Sequence, residues 1–129
     1  MDTITQTEIF ENTTPEKLYE LLMDEAHHSE FTGADAHISN EVGGTFTAYD
    51  DYATGRNLEL VVGKKIIQSW RASDWPEGVV STITYEFEQD GDNTIIHFTQ
   101  TGVPANQLGA IAKGWTEFYW EPIRDYLRS

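Results

Sequence analysis

The chain has 129 residues, with eight Lys plus Arg against 22 Asp plus Glu, a formal charge of −14 and no cysteine. That length suits one domain spanning 1–129 with a core of its own, while the charge argues against nucleic-acid or membrane partners, and the lack of cysteine excludes disulfides and thiolate metal sites. The opening MDTITQTEIF has no basic segment followed by an apolar run, and no apolar run approaches the roughly 20 residues of a membrane span, so a cytoplasmic setting is expected.

Thr3 to Phe10 alternates as an edge or near-edge strand, with Ile4, Gln6 and Glu8 on one side and Thr5, Thr7 and Ile9 on the other. Thr14 is placed to cap a helix whose first position is Pro15 and whose apolar face is Leu18, Leu21 and Leu22. Asp24 to Thr32 reads as a short second helix or an irregular turn, ended by Gly33. From Ala34 onward the texture changes to short β runs: Ala36 to Ser39, Thr45 to Tyr49, Asn57 to Val62 after a polar turn over 50–55, and Lys65 to Ser73. Trp75-Pro76-Glu77-Gly78 puts proline second and glycine fourth, as a β-turn prefers. Val79 to Gln89 is the clearest strand, with Val79, Ile83, Tyr85 and Phe87 on one face, and Asp90-Gly91-Asp92-Asn93 closes a hairpin into Thr94 to Thr101.

Pro104 to Arg128 forms a long terminal helix. Leu108, Ile111, Ala112, Trp115, Phe118, Tyr119, Ile123 and Tyr126 share one stripe at 3.6 residues per turn, opposite Lys113, Glu117, Glu121, Arg124 and Asp125. Pro122 removes a hydrogen bond, so a bend is expected between Phe118 and Pro122. The order strand, helix pair, roughly six strands and long helix makes the fold α+β: a curved antiparallel sheet of about six to seven strands closing on the terminal helix, with two short helices after the first strand.

Alternation from the apolar anchors turns Phe46, Leu58, Leu60, Ile66, Trp70, Tyr85, Phe87, Ile96 and Phe98 inward, and with them Gln68, Ser81 and Gln100. Buried polar groups need partners. Either these three bond one another, nearby backbone or trapped water, or they are the convergent polar groups of a largely apolar small-molecule pocket. On the second reading Phe46, Leu60, Gln68, Trp70, Ser81, Tyr85, Phe98, Gln100, Trp115 and Tyr119 are the candidate ligand-binding residues. Arg71, Trp75 and Trp120 are candidate protein-interface residues, since Trp and Arg serve as anchors and Trp120 lies off the helix stripe; the alternative is that Trp75 caps the barrel end and Trp120 covers the sheet rim.

His27 and His28 lie in DEAHHSE and read as part of a solvated acidic patch; His27 with Glu30 is the geometrically possible metal pair, but adjacent histidines on a helix diverge and no metal site is assigned. His97 reads as a surface residue and His37 has no evident partner. Paired carboxylates such as Asp50-Asp51 and Glu86/Glu88 sit at turns or on a polar face. There is no nucleophile elbow, no phosphate cradle at Gly43-Gly44 and no catalytic constellation, so neither an enzyme nor a cofactor is expected.

Four stretches carry a resemblance. Ile66-Ile67-Gln68-Ser69-Trp70-Arg71, the run Ser73-Asp74-Trp75-Pro76-Glu77-Gly78 with Ser81-Thr82-Ile83-Thr84, and Gly102-Val103-Pro104 followed by Gly114-Trp115-Thr116-Glu117-Phe118-Tyr119-Trp120 resemble the activator of heat-shock protein 90 ATPase family, as does Phe10 to Leu22. The similarity covers nearly the whole chain and looks like the C-terminal module of the eukaryotic co-chaperone, of the START-like, birch-pollen-allergen-like superfamily. It implies a helix-grip fold and a heat-shock protein 90 chaperone as partner, a contact that the family's C-terminal module makes with the chaperone's N-terminal domains. Stand-alone relatives resemble stress-related proteins. The expected function is therefore a non-enzymatic co-chaperone-like module. The alternatives are a carrier or sensor of a small hydrophobic ligand and, more weakly, a polyketide-cyclase-like enzyme needing an inward acid or base.

Overall fold

The computed structural model describes residues 2–50 and 52–128. One antiparallel sheet of seven strands carries the fold, in the order β1-β7-β6-β5-β4-β3-β2. The strands are β1 (Asp2–Phe10), β2 (His37–Ile38), β3 (Thr45–Ala48), β4 (Ala53–Val61), β5 (Lys65–Ala72), β6 (Ser81–Asp90) and β7 (Asn93–Val103). From β2 to β7 each strand pairs with its successor, while β1 lies against β7 at one edge. Two helices, α1 (Pro15–Met23) and α2 (Glu25–Thr32), carry the chain from that edge to β2 at the other. This is the α+β order read from the sequence, with β1 at an edge as expected.

Local signals explain the ends of the short helices. The Thr14 side chain accepts from the Lys17 amide and Pro15 opens α1; Asp24 then accepts from the amides of Ala26 and His27 to start α2, and Gly33, at φ 75°, ends it in the left-handed conformation. The Gly91-Asp92 loop closes the β6–β7 hairpin, where Asp90 faces Asn93. At 75–79 the hydrogen bond runs from the Val79 amide to the Pro76 carbonyl, so proline comes first and Gly78, at φ 82°, third, one place along from the sequence reading. Asp51, which the sequence pairs with Asp50 at the β3–β4 turn, lies outside the described residues.

Besides a register shift where Asp2 and Ile4 of β1 face Val103 and Gln100 of β7, two events re-aim side chains toward or away from the space under the helix. In β4 the pairing with β5 slips between Asn57 and Glu59, so two residues of β4 oppose a single step of β5. Leu58, expected inward, is consequently 47% exposed, and Asn57 is buried in its stead. Its amide nitrogen donates to the carbonyls of Ser39 at 2.6 Å and Glu41 at 3.0 Å, and its Oδ1 accepts from Gln68 at 2.9 Å. Gly55, in the same strand, is needed for a close approach: a Cβ there would lie 1.8 Å from the Ser69 carbonyl oxygen and 2.6 Å from the Phe46 ring.

The second event is in the terminal helix, which comprises a 3₁₀ turn (Ala105–Gln107), α3 (Leu108–Trp115), a π turn (Thr116–Trp120) and α4 (Glu121–Arg128). The π turn holds one residue more than an α turn and rotates everything beyond it. Phe118 therefore leaves the inward stripe and is 53% exposed, while Trp120 enters the core with no exposure at all. Where a bend is expected from Phe118 to Pro122, the helix has a π turn over Thr116–Trp120 and a change of phase. Pro122 has no N–H to offer the Phe118 carbonyl four residues back, and the Tyr49 hydroxyl, reaching across from the β3–β4 turn, donates to that oxygen. On the opposite flank Gln6 of β1 donates to the Ala112 carbonyl at 3.0 Å and accepts from the Trp120 indole at 2.7 Å. The sheet thus holds the helix from both sides.

Candidate functional site

Beneath the terminal helix the sheet presents aromatic rings. Trp115 is central: its ring centroid lies 4.5 Å from Phe98, 4.6 Å from Tyr119, 5.9 Å from Trp70 and 6.1 Å from Tyr85. Its indole N–H donates to Gln100 Oε1 at 2.7 Å; Gln100 Nε2 donates to Ser81 Oγ at 2.9 Å, and Ser81 donates to the Trp70 carbonyl at 2.7 Å. Gln68, Ser81 and Gln100 are all buried, as the alternation implies. Ser81 and Gln100 bond each other, the Trp70 carbonyl and the Trp115 indole, while Gln68 donates to Asn57 Oδ1 and no described donor reaches its own Oε1. Of the two readings offered for these polar groups, mutual bonding describes Ser81 and Gln100 completely.

Among the described residues, two spaces lie beneath the helix in place of one continuous pocket. The larger, about 280 Å³, opens between the β3–β4 turn and the helix and is lined by Tyr49, Tyr52, Ala53, Trp70, Ala110, Ile111, Gly114, Trp115, Phe118 and Tyr119. The smaller, about 10 Å³, lies deeper, among Met23, His28, Phe46, Gln68, Trp70, Tyr85, Tyr119 and their neighbours. Of the ten candidate ligand residues, Trp70, Trp115 and Tyr119 line the larger space, and Phe46, Gln68, Trp70, Tyr85 and Tyr119 the smaller. Ser81, Phe98 and Gln100 are packed into the core and Leu60 is half-buried; none of these four lines either space. Tyr49 and Tyr52 are not among the candidates: the expected strand Thr45 to Tyr49 gives Tyr49 the parity opposite Phe46, whereas β3 ends at Ala48, and Tyr52 falls in the polar turn, where alternation says nothing about direction. Tyr49 and Asp50 both take positive φ, 53° and 56°, a conformation uncommon for side-chain-bearing residues.

His28 is the functional-type residue that the sequence reading placed wrongly. It was assigned to a solvated patch, yet it is 3% exposed and its Nε2 lies 2.9 Å from the Tyr119 hydroxyl. Its ring packs on Phe31 at 5.0 Å and Tyr119 at 5.3 Å. Burial holds its pKa down from 6.5 to about 4, so it is neutral at neutral pH. Burial likewise pushes the hydroxyls of Tyr49, Tyr85 and Tyr119 above their ordinary range. A signal was present: Phe31, the large apolar residue of that segment, follows His28 by three positions, which places both on one helical face.

The remaining histidines are on or near the surface. His27 Nδ1 lies 3.4 Å from Asp24 and 3.6 Å from Glu20 rather than beside Glu30, whose carboxylate accepts from Tyr126 at 2.6 Å. His37, read as partnerless, is 3.6 Å from Glu25, and His97 is 2.8 Å from Glu88. The three interface candidates are engaged internally. Trp75 and Trp120 are buried, and the Arg71 guanidinium donates to the carbonyls of Trp75, Pro76 and Val79 at 2.8–3.0 Å, holding the β5–β6 connection closed. Trp75 packs on Trp70 with ring centroids 5.4 Å apart, and Trp120 lies among Phe10, Tyr85, Phe98 and Trp115 in the core rather than on the sheet rim.

A seven-stranded antiparallel sheet gripping a C-terminal helix, with two short helices inserted after the first strand, defines a helix-grip protein of the START-like class. Solved structures agree. An HSP90 activator from Plasmodium falciparum superposes with a TM-score of 0.91 at 26% identity over 97% of this chain and 95% of that one. The fold also recurs in the Aha1 dimer from Colwellia psychrerythraea, with a TM-score of 0.80 at 18% identity over 94% and 92% of the two chains. The family described as Activator of Hsp90 ATPase homolog 1-like protein matches residues 12–128, and the chain belongs to that family. Among its relatives, the human "Activator of 90 kDa heat shock protein ATPase homolog 1" is 34% identical over 112 residues, 87% of this chain and 33% of that protein. The Dictyostelium discoideum homolog is 34% identical over 103 residues, 79% of this chain and 27% of that protein. The chain thus spans about a third of the length of the curated relatives it matches.

Proposed function

We propose that this chain is a cytoplasmic, single-domain co-chaperone module that binds a heat-shock protein 90 chaperone and raises its ATPase turnover, with no chemistry of its own. What supports this reading is that a solved chain of an HSP90 activator from Plasmodium falciparum follows the same fold over 97% of this chain. The partner surface is expected among exposed groups, since Arg71, Trp75 and Trp120 are occupied within the fold. With 22 carboxylate residues against eight Lys plus Arg, association with a basic patch on the chaperone is expected to weaken as salt rises. The test is chaperone ATPase turnover at saturating concentrations of this protein, with binding followed by titration. A rise in turnover is expected; no change together with no binding overturns the reading.

A second reading is favoured by one observation: the space of about 280 Å³ beside the helix has walls that are almost wholly carbon, which suits an apolar small molecule. On that reading the protein is a carrier or sensor. Mass spectrometry of the purified protein, followed by titration with apolar probes, tests it; failure to retain or bind any of them removes it.

A further inference from the structure

The two interior spaces share the walls formed by Trp70 and Tyr119. They differ in chemistry. The outer one is bounded by rings and by aliphatic groups such as Ala53 and Ile111. Three polar side chains with hydrogen-bonding capacity left over meet at the inner one. His28 bonds Tyr119 through Nε2, while its buried Nδ1 meets no partner among the described residues. Gln68 commits its amide nitrogen to Asn57 at 2.9 Å, and no described donor reaches its Oε1. Tyr85 is 3% exposed, and its hydroxyl makes no hydrogen bond among the described residues. His28 Nδ1 is a fully buried atom without a partner among the described residues, and Gln68 and Tyr85 line the same inner space with hydrogen-bonding capacity free, so that space suits another polar atom. No Lys or Arg lines either space.

We propose that the two spaces are the halves of one site for an uncharged, ring-bearing small molecule with a single hydrogen-bonding head, a hydroxyl or a carbonyl. This rests on the ligand reading above and adds to it the class of ligand. The apolar body occupies the outer space against Trp70, Trp115 and Ile111. The head passes the Tyr119 ring into the inner space and reaches Gln68 and the Tyr85 hydroxyl, beside the His28–Tyr119 bond. The selectivity follows from charge. A carboxylate head would arrive at a buried point with no cation, inside a chain of formal charge −14, and an unpaired buried charge is strongly disfavoured. A hydrocarbon lacking the head leaves the three polar groups as incompletely satisfied as before.

Equilibrium dialysis of the full chain at about pH 7 with 2-naphthol, naphthalene and 2-naphthoate tests this, since a neutral His28 and a neutral naphthol are then both present. The expected result is 2-naphthol held about tenfold more tightly than naphthalene, the worth of one good hydrogen bond, with 2-naphthoate weakest. In the Tyr85→Phe and Gln68→Leu variants the preference for 2-naphthol is expected to shrink to about threefold or less while naphthalene binds as before, which also shows that the variants fold. Equal affinities for naphthol and naphthalene in the parent protein, or tightest binding of the naphthoate, overturn the inference and leave the apolar cavity reading standing. Binding of none of the three overturns both.

Discussion

Acidification from about pH 7.5 to about pH 4 reports directly on His28, because its native and unfolded states bind a proton at different pH. The imidazole is 3% exposed, its one hydrogen bond goes to the Tyr119 hydroxyl, and burial lowers its pKa from 6.5 to about 4. Between those two values the unfolded chain carries a proton that the folded chain does not, so stability falls as pH falls through that window. At about 1.4 kcal/mol for each pH unit of the gap, His28 takes away about 3 kcal/mol by pH 4, against nothing above about pH 7.5. The titratable groups packed on the ring, Tyr119 and Tyr49, are both pushed upward by burial and stay neutral across the window. Surface carboxylates also titrate there, and a His28→Gln variant separates their effect: it keeps an amide for the Tyr119 hydroxyl and cannot titrate. Urea unfolding of both proteins at a series of pH values gives the stability difference. That difference is expected to be flat above about pH 7 and to move by about 3 kcal/mol, in favour of the variant, by about pH 4. A difference that does not change with pH, or one favouring the parent protein in acid, refutes the assignment of His28 as a buried neutral group.

Tyr49→Phe removes the donor to the Phe118 carbonyl and is expected to lower stability by about 1 kcal/mol; in a Pro122→Ala background, where a backbone N–H is available to that carbonyl, the loss is expected to shrink, as a double-mutant cycle by urea unfolding would read. In β4, Asn57→Ala is expected to cost about 2 kcal/mol, since it takes the acceptor from the buried Gln68 amide and the side-chain donor from the Ser39 carbonyl, whereas Leu58→Ser at the outward position next to it changes stability by less than about 0.5 kcal/mol. Thermal unfolding that ranks the two β4 variants the other way contradicts the bulge.

Much of the architecture could be read from the chain because it is encoded locally. Thr14-Pro15, Asp24 and Gly33 bound the helices through contacts a few residues long, and Asp90-Gly91-Asp92-Asn93 turns β6 into β7 by its own backbone preferences. The alternation of β5, the first half of β6 and β7 as far as Gln100 puts Gln68, Ser81 and Gln100 inside, because over those stretches the strands keep a period of two. The family resemblance rested on the same stretches, Ile66 to Arg71 and Gly114 to Trp120, and it survived because residue identity does not depend on phase.

What the sequence could not yield is phase after an interruption. A one-residue bulge at Leu58 and a π turn over Thr116–Trp120 each insert a step that no periodicity announces, and each exchanges an outward for an inward side chain: Asn57 for Leu58, Trp120 for Phe118. The inward placement of His28 was equally a matter of tertiary structure, since the helix bearing it has weak apolar character and only the meeting of α2 with Tyr119 decides which side is buried. Hydrophobic pattern and capping chemistry therefore determined which elements form and in what order. The contents of the space under the terminal helix, with the direction of its polar groups, were decided where elements distant in the chain pack against one another and a single inserted residue rotates all that follow.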